Sequence, residues 1–249
     1  MIQAIGSSLI KIKKETMNVK TMQEIIHFIK ETDISNIPDK DLEKHICSFG
    51  LNGEILGEQP LSLSDYYGKG LYIWQYPNQF APFLKWLSTI KVDSYLEIGC
   101  RHGGSFVIIS EILKKNNQKI RLMACDLIEE SNVLKEYRNY SNFEYIKISS
   151  RLEKFKNIIG NNVELVFIDG DHEYDGCYSD WKLFDSNDNT KHIIFHDIDS
   201  ASCRHVGAIW IDAKKDKRFE STEFIQQYPV DDIPFKNKFL GIGVLSRKN

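Results

Sequence analysis

The chain has 249 residues, of which 42% are hydrophobic and 27% charged, and its 32 Lys and Arg against 35 Asp and Glu leave a net charge of -3. That length holds one large domain with a small appendage rather than two full-size domains, and the composition excludes wholesale disorder and a fibrous repeat. The near-neutral balance provides no positive field for nucleic acid or an anionic membrane, which points to a small-molecule task.

The first residues, MIQAIGSSLIKIKKETMNVK, have only a brief apolar start followed by lysines, unlike a signal peptide, and no apolar run approaches the roughly 20 residues that span a bilayer. Cys47, Cys100, Cys125, Cys177 and Cys203 form no C-x-x-C pair and no small secreted framework, so a reducing cytoplasm is expected. From Thr21 to about Thr32, Met22, Ile25, Ile26 and Ile29 recur at the spacing of one helix face, and a second short helix is expected over DLEKHICSF. Leu51 to Gly70 carries four glycines and a proline and reads as a joint. It divides a helical appendage, residues 1–65, from a main domain, residues 66–249.

Asn78 is expected to cap a helix whose inner face carries Phe80, Phe83, Leu84 and Leu87. Beyond it, apolar runs of strand length alternate with helical stretches. SYLEIG, RLMACD, FEYIKI, ELVFID and HIIFHD read as strands; SFVIISEILKK, Val133–Tyr137, RLEKFKNII and Tyr174–Leu183 read as helices. The alternation predicts an α/β, Rossmann-like doubly wound and mostly parallel sheet of about seven strands, with helices on both faces. FLGIGVLS is expected as a last strand, antiparallel at or near the edge. Ligands of such sheets sit beyond the carboxyl ends of the strands, where this sequence sets Glu97 and Gly99, Asp126, Ser149 and Ser150, Asp169, and the pair His196–Asp197.

YLEIGCRHGGSF runs strand, glycine turn, helix start, and its glycines at 99, 103 and 104 do not fit the dinucleotide spacing G-x-G-x-x-G. The motif instead resembles the E/D-x-G-x-x-x-G loop of class I S-adenosylmethionine (SAM)-dependent methyltransferases. That resemblance implies a loop around the methionine and ribose of SAM, with Glu97 beneath it and Gly99, Gly103 and Ser105 in contact. It further implies Asp126 as the acceptor for both ribose hydroxyls and Ser149 or Ser150 beside the adenine, with Ser150 preferred. In LYIWQYPNQF, Trp74, Gln75, Tyr76 and Gln79 fall where relatives line the cofactor and acceptor pocket, so Gln75 is expected to bind cofactor; aromatic packing between appendage and domain is the alternative.

VELVFIDGDHEYDGCYSDW crowds Asp171, His172, Glu173 and Asp175 after a buried strand that delivers Asp169, an unfavourable arrangement unless a cation or a reaction uses it. With HIIFHD after it, the stretch resembles the branch that includes metal-dependent sugar O-methyltransferases and cephalosporin hydroxylase-like proteins, over roughly Leu71 to the C-terminus. The resemblance implies a divalent metal held by Asp169, His196 and Asp197, and His172 as general base, with Asp169 part of the catalytic apparatus. His196 replaces the usual carboxylate, which moves the metal preference from Mg²⁺ toward Mn²⁺, Fe²⁺ or Zn²⁺. His45, His102, His192 and His205 are expected to be structural, with His102 within reach of the ligand, and Tyr178, Trp181, Phe184 and Trp210 are expected in the core.

The expected function is therefore SAM-dependent and Mg²⁺- or Mn²⁺-dependent O-methylation of a small polyhydroxylated acceptor, a sugar or nucleotide sugar. A catechol-like phenol is the alternative within the fold, and an NAD-dependent oxidoreductase or a non-catalytic nucleoside-binding module the alternatives outside it. The acceptor stays open, and so does whether the helical N-terminus covers the pocket or pairs with a second copy in a homo-oligomer.

Overall fold

In a computed structural model, residues 18–248 are described; the lysine-bearing stretch 1–17, with which the appendage begins, and Asn249 lie outside them. Thr21 caps α1 (Met22–Glu31): its hydroxyl accepts from the Glu24 amide while the Glu24 carboxylate accepts from the Thr21 amide, so two otherwise orphaned donors are satisfied. Met22, Ile25, Ile26 and Ile29 are its buried face. α2 follows at Asp39–Phe49 and α3 at Pro77–Ser88.

Asn78 does not cap α3. Tyr76 is the N-cap and Pro77 the first helical residue, where its fixed φ suits the helix and its missing N–H costs nothing, so Asn78 is carried inside and buried. The main domain then runs β1 (Ser94–Ile98), α4 (Gly104–Asn116), β2 (Arg121–Asp126), α5 (Asn132–Tyr137), β3 (Glu144–Lys147), α6 (Glu153–Ile159), β4 (Leu165–Ile168), α7 (Tyr174–Asp185), β5 (His192–His196), α8 (Arg204–Ala213), β6 (Phe219–Phe224) and β7 (Ile242–Arg247).

The seven strands form one sheet in the order β3-β2-β1-β4-β5-β7-β6. β1 to β5 pair in parallel, and β7 pairs antiparallel with both β5 and β6. β7 is the expected antiparallel strand, and it stands one place in from the edge because β6 covers it. The central strands are apolar throughout because both faces are covered. Tyr95, Leu165 and Phe167 point into a cluster with α1 to α5, whereas Leu96, Val166 and Ile168 point into one with α6 to α8. The first cluster runs unbroken from Met22 and Ile46 to Phe106 and Val244, so α1 and α2 share their core with the sheet.

Trp181, Phe184 and Trp210 are buried in the second cluster, but Tyr178 is 39% exposed and stacks on Tyr174 at the surface. No helix among the described residues is long and apolar enough to cross a membrane. Strand order reverses direction between β1 and β4, which opens a crevice at their carboxyl ends.

Candidate active site

The crevice is a cavity of about 790 Å³, within the usual range for small-molecule sites. Gln75, Gly99, Gly103, Ser105, Asp126 and Ser150 line it. So do Asp169, His172, His196 and Asp197. Of the residues expected to hold cofactor or metal or to act in catalysis, Glu97 alone is absent from its wall: it is the fourth residue of β1 and fully buried, below the loop, and Tyr76, Gln79, Glu173 and Asp175 also lie off the wall.

Glu97 accepts hydrogen bonds from the Ser105 hydroxyl at 2.6 Å and from the Tyr95 hydroxyl, tying the start of α4 to β1. Burial pushes its carboxyl up to about 8, against the pull of those two donors. Above it Gly99 turns the chain with φ +85°, and a Cβ there would stand 2.0 Å from the Asp169 carbonyl oxygen, so only glycine lets β1 and β4 end this close. Gly103 begins α4 with φ +85° as its N-cap. Asp126, at the end of β2, accepts from the Arg101 amide and the Leu127 amide, each at 2.7 Å. Oδ1 also accepts from the Ile128 amide at 3.3 Å, whereas Oδ2 serves the Arg101 amide alone and keeps a second lone pair for a ligand.

The stretch from Leu51 to Gly70 clamps this loop from outside. Glu54 pairs with the Arg101 guanidinium and lies 3.2 Å from His102 Nε2, while the guanidinium stacks on Trp74 at 4.7 Å. Ser150 bonds the buried Asp180, whose carboxyl burial pushes up to about 6, and the next residue, Arg151, pairs with Asp171. The Asp171 of the crowded turn is therefore paired with a cationic neighbour, and Glu173 lies 3.0 Å from His205 Nδ1.

The other members of that turn converge with the end of β5. His196 Nδ1 lies 2.7 Å from Asp169 Oδ1 and 3.2 Å from Asp197 Oδ2. His172 Nε2 lies 3.3 Å from Asp169 Oδ1 and 3.4 Å from Asp197 Oδ2. All four ligand atoms fall within 4.8 Å of one another, a spread that fits shared bonds of about 2.0–2.2 Å to one divalent ion. Asp197 takes φ +60°, a left-handed conformation that is rare outside glycine and is tolerated where a site demands it.

Burial works against a charge on His196, but Asp169 and Asp197 outweigh it and hold the imidazolium up to about 10. The bond to Asp169, then that to Cys203, holds His172 up to about 11. Burial works to raise Asp169, yet the attraction of His196 keeps it below the usual carboxylate range. Without a cation, two imidazolium ions balance two carboxylates.

The balance is incomplete in its hydrogen bonds. Both ring nitrogens of His196 and Oδ1 of Asp197 are buried with no hydrogen-bond partner, although His196 Nδ1 stands so close to Asp169. Two nitrogens and two oxygens converge, those of His196 without hydrogen-bond alignment, and this donor set fits a divalent metal of the Mn²⁺ to Zn²⁺ type, with Mg²⁺ less favoured. His172, expected as a base, stands as a fourth member of this cluster and is its most exposed one, at 42%. Cys203, which sequence reasoning passed over as one of five scattered cysteines, directs its thiol to Asp197 Oδ2 at 3.4 Å.

Residues 96–198, which hold the glycine loop, Asp126 and the cluster, match a family model described as a methyltransferase domain. The fold is the Rossmann-like methyltransferase fold. Cofactor-bound Rv0187 from MTB superimposes with a TM-score of 0.51 at 14% identity, over 92% of this chain and 99% of that one. The SAH-bound methyltransferase PaMTH1 of Podospora anserina gives 0.51 at 14% identity, over 98% of this chain and 100% of its own. An rRNA methylase of Streptococcus thermophilus gives 0.50 at 9% identity, over 69% of this chain and 97% of its own. Comparison with curated protein sequences finds no match.

Proposed function

We propose that this protein is a SAM-dependent O-methyltransferase that uses a divalent cation, Mg²⁺ or Mn²⁺, and acts on a small polyhydroxylated acceptor, a sugar or nucleotide sugar. The observation that carries the reading is one cavity lined both by the glycine loop with Asp126 and by Asp169, His172, His196 and Asp197. Asp126 would accept from the ribose hydroxyls, Gly99 and Gly103 would let the backbone approach the cofactor, and Ser150 would flank the adenine. Gln75 would close this region from the N-terminal side. The match of residues 96–198 to a methyltransferase domain supports the same assignment, and the glycine spacing argues against a nicotinamide dinucleotide.

Asp169, His196 and Asp197 would hold the cation. Its charge would lower the pKa of an acceptor hydroxyl and orient it. A cation on Asp169 and Asp197 would offset the attraction that keeps His172 protonated, and the neutral imidazole, exposed at the cavity wall, would then receive the proton as the oxygen attacks the sulfonium methyl.

A melting experiment tests the cofactor assignment. S-adenosylhomocysteine should raise the Tm while NAD should not, because a ligand that binds only the folded state stabilises it in proportion to RT ln(1 + [L]/Kd). In Asp126→Ala the shift should shrink, by the loss of about 1.5–3 kcal/mol for charge-assisted bonds. Stabilisation by NAD and none by S-adenosylhomocysteine would refute the reading.

A further inference from the structure

We propose that Glu58 is the residue that recognises the acceptor, taking hydroxyl groups of an uncharged polyol on its free carboxylate oxygen, with Gln75 beside the same cavity. The inference rests on the methyltransferase reading above and extends it to a residue outside the motif region.

Glu58 ends a short turn, Leu56–Glu58, in the glycine-bearing stretch that joins α2 to the main domain. It lines the cavity yet is only 6% exposed. Oε1 accepts from the Ser202 hydroxyl at 2.7 Å, but Oε2 is buried with no hydrogen-bond partner. Among the described residues no basic side chain pairs with it. Folded proteins rarely leave a buried carboxylate oxygen unsatisfied, so each such atom calls for a use. Gln75 repeats the pattern: it lines the cavity, is 5% exposed, and its Oε1 is buried without a partner. Two orphaned acceptor oxygens call for a ligand rich in donors.

Placement assigns Glu58 to the acceptor rather than to SAM, with Gln75 on the cofactor side of the same cavity. Glu58 is held by Ser202, in the loop after β5, whereas the glycine loop and Asp126 stand at the ends of β1 and β2, across the sheet. Ser202 is followed by Cys203, whose thiol touches Asp197. One turn therefore joins Glu58 to the cluster, so neighbouring hydroxyls of one molecule can reach both. The Tyr76 hydroxyl donates to the Glu58 carbonyl and fixes the turn. A phosphate or carboxylate at this spot would face oxygens without a cation. The charged part of a nucleotide sugar would thus point elsewhere, with the sugar toward Glu58.

The test compares the full chain with E58Q in three measurements. These are S-adenosylhomocysteine affinity by calorimetry, Tm without ligands, and methyl transfer from labelled SAM, with Mn²⁺ present, to a panel of free hexoses, UDP-glucose and catechol. The expected result is an S-adenosylhomocysteine Kd within twofold of wild type, a higher Tm because an amide costs less to bury than an unpaired carboxylate, and a KM for the methylated sugar raised at least tenfold with a smaller fall in kcat. A tenfold loss of S-adenosylhomocysteine affinity would mean that Glu58 holds the ammonium group of the cofactor, and an unchanged KM would mean that it touches no acceptor; either overturns the proposal. Wild type that binds S-adenosylhomocysteine but methylates nothing in the panel contradicts the hydroxyl-acceptor reading itself. Glu58 is then judged by melting: a lower Tm for E58Q makes it a structural strut and ends the proposal, and a higher one upholds it as a ligand-binding group.

Discussion

Glu97 illustrates how a motif residue serves a site that it does not touch. Its carboxyl is pushed up to about 8 by burial, so between the unfolded value near 4.5 and 8 the folded chain holds a proton that the unfolded chain has released. The stabilisation is full below pH 4.5 and declines as pH rises through the folded value, by several kcal/mol in order of magnitude. Glu97→Gln carries a permanently neutral group between Tyr95 and Ser105 and should remove this slope. Chemical denaturation of both proteins from pH 5 to 9 should show wild type losing stability relative to the variant; parallel profiles would mean that Glu97 is ionised in the folded state as in the unfolded one. The acidic motif position was legible in the sequence, but its burial was not, since a residue before a glycine turn reads equally as a strand end. Glu58 was not legible at all, because one glutamate among the glycines of a connecting stretch carries no periodicity and no motif.

At the scale of elements, the turns carry more information than the strands they join. The β1–α4 turn depends on Gly99, where a Cβ would sit 2.0 Å from the Asp169 carbonyl with φ at +85°. Gly99→Ala should therefore part the ends of β1 and β4, destabilising the protein by about 2–4 kcal/mol and weakening S-adenosylhomocysteine binding together with metal binding. Equilibrium unfolding and calorimetry would check this; a variant as stable as wild type would show that the two strand ends do not meet. β1, β2, β4 and β5 were readable because strands covered on both faces are largely apolar runs, and β3, at the edge, was read from FEYIKI although only Ile146 of it is buried. β6, Phe219–Phe224, escaped because its pattern FESTEF is polar and exposed except at its ends, as an edge strand permits. Asn78 was misread as a cap because cap propensity was weighed without Pro77, which sets the cap two residues earlier, at Tyr76.

Over the whole molecule, the parallel sheet collects at one rim what the sequence disperses over more than a hundred residues. The N-terminal stretch contributes Glu54, Glu58 and Gln75 to that rim, so the helical appendage, whose α1 and α2 share the core of the sheet, also shapes the cavity. The residues expected to hold cofactor and cation could be read from the sequence because they follow strands, whereas Glu58 comes from a connecting loop whose folding depends on tertiary contacts. The account stands or falls on the claim that Asp169, His196 and Asp197 hold a cation needed for methyl transfer beside, and not within, the cofactor site. The decisive measurement is methyl transfer from labelled SAM to hydroxylated acceptors in chelator, with S-adenosylhomocysteine binding followed in the same buffer. Transfer should vanish in chelator and return with Mn²⁺ or Mg²⁺, Asp169→Asn should behave like the chelated enzyme, and S-adenosylhomocysteine affinity should stay the same throughout. Full turnover in metal-free buffer would contradict the account and leave these side chains as hydrogen-bonding partners of the acceptor.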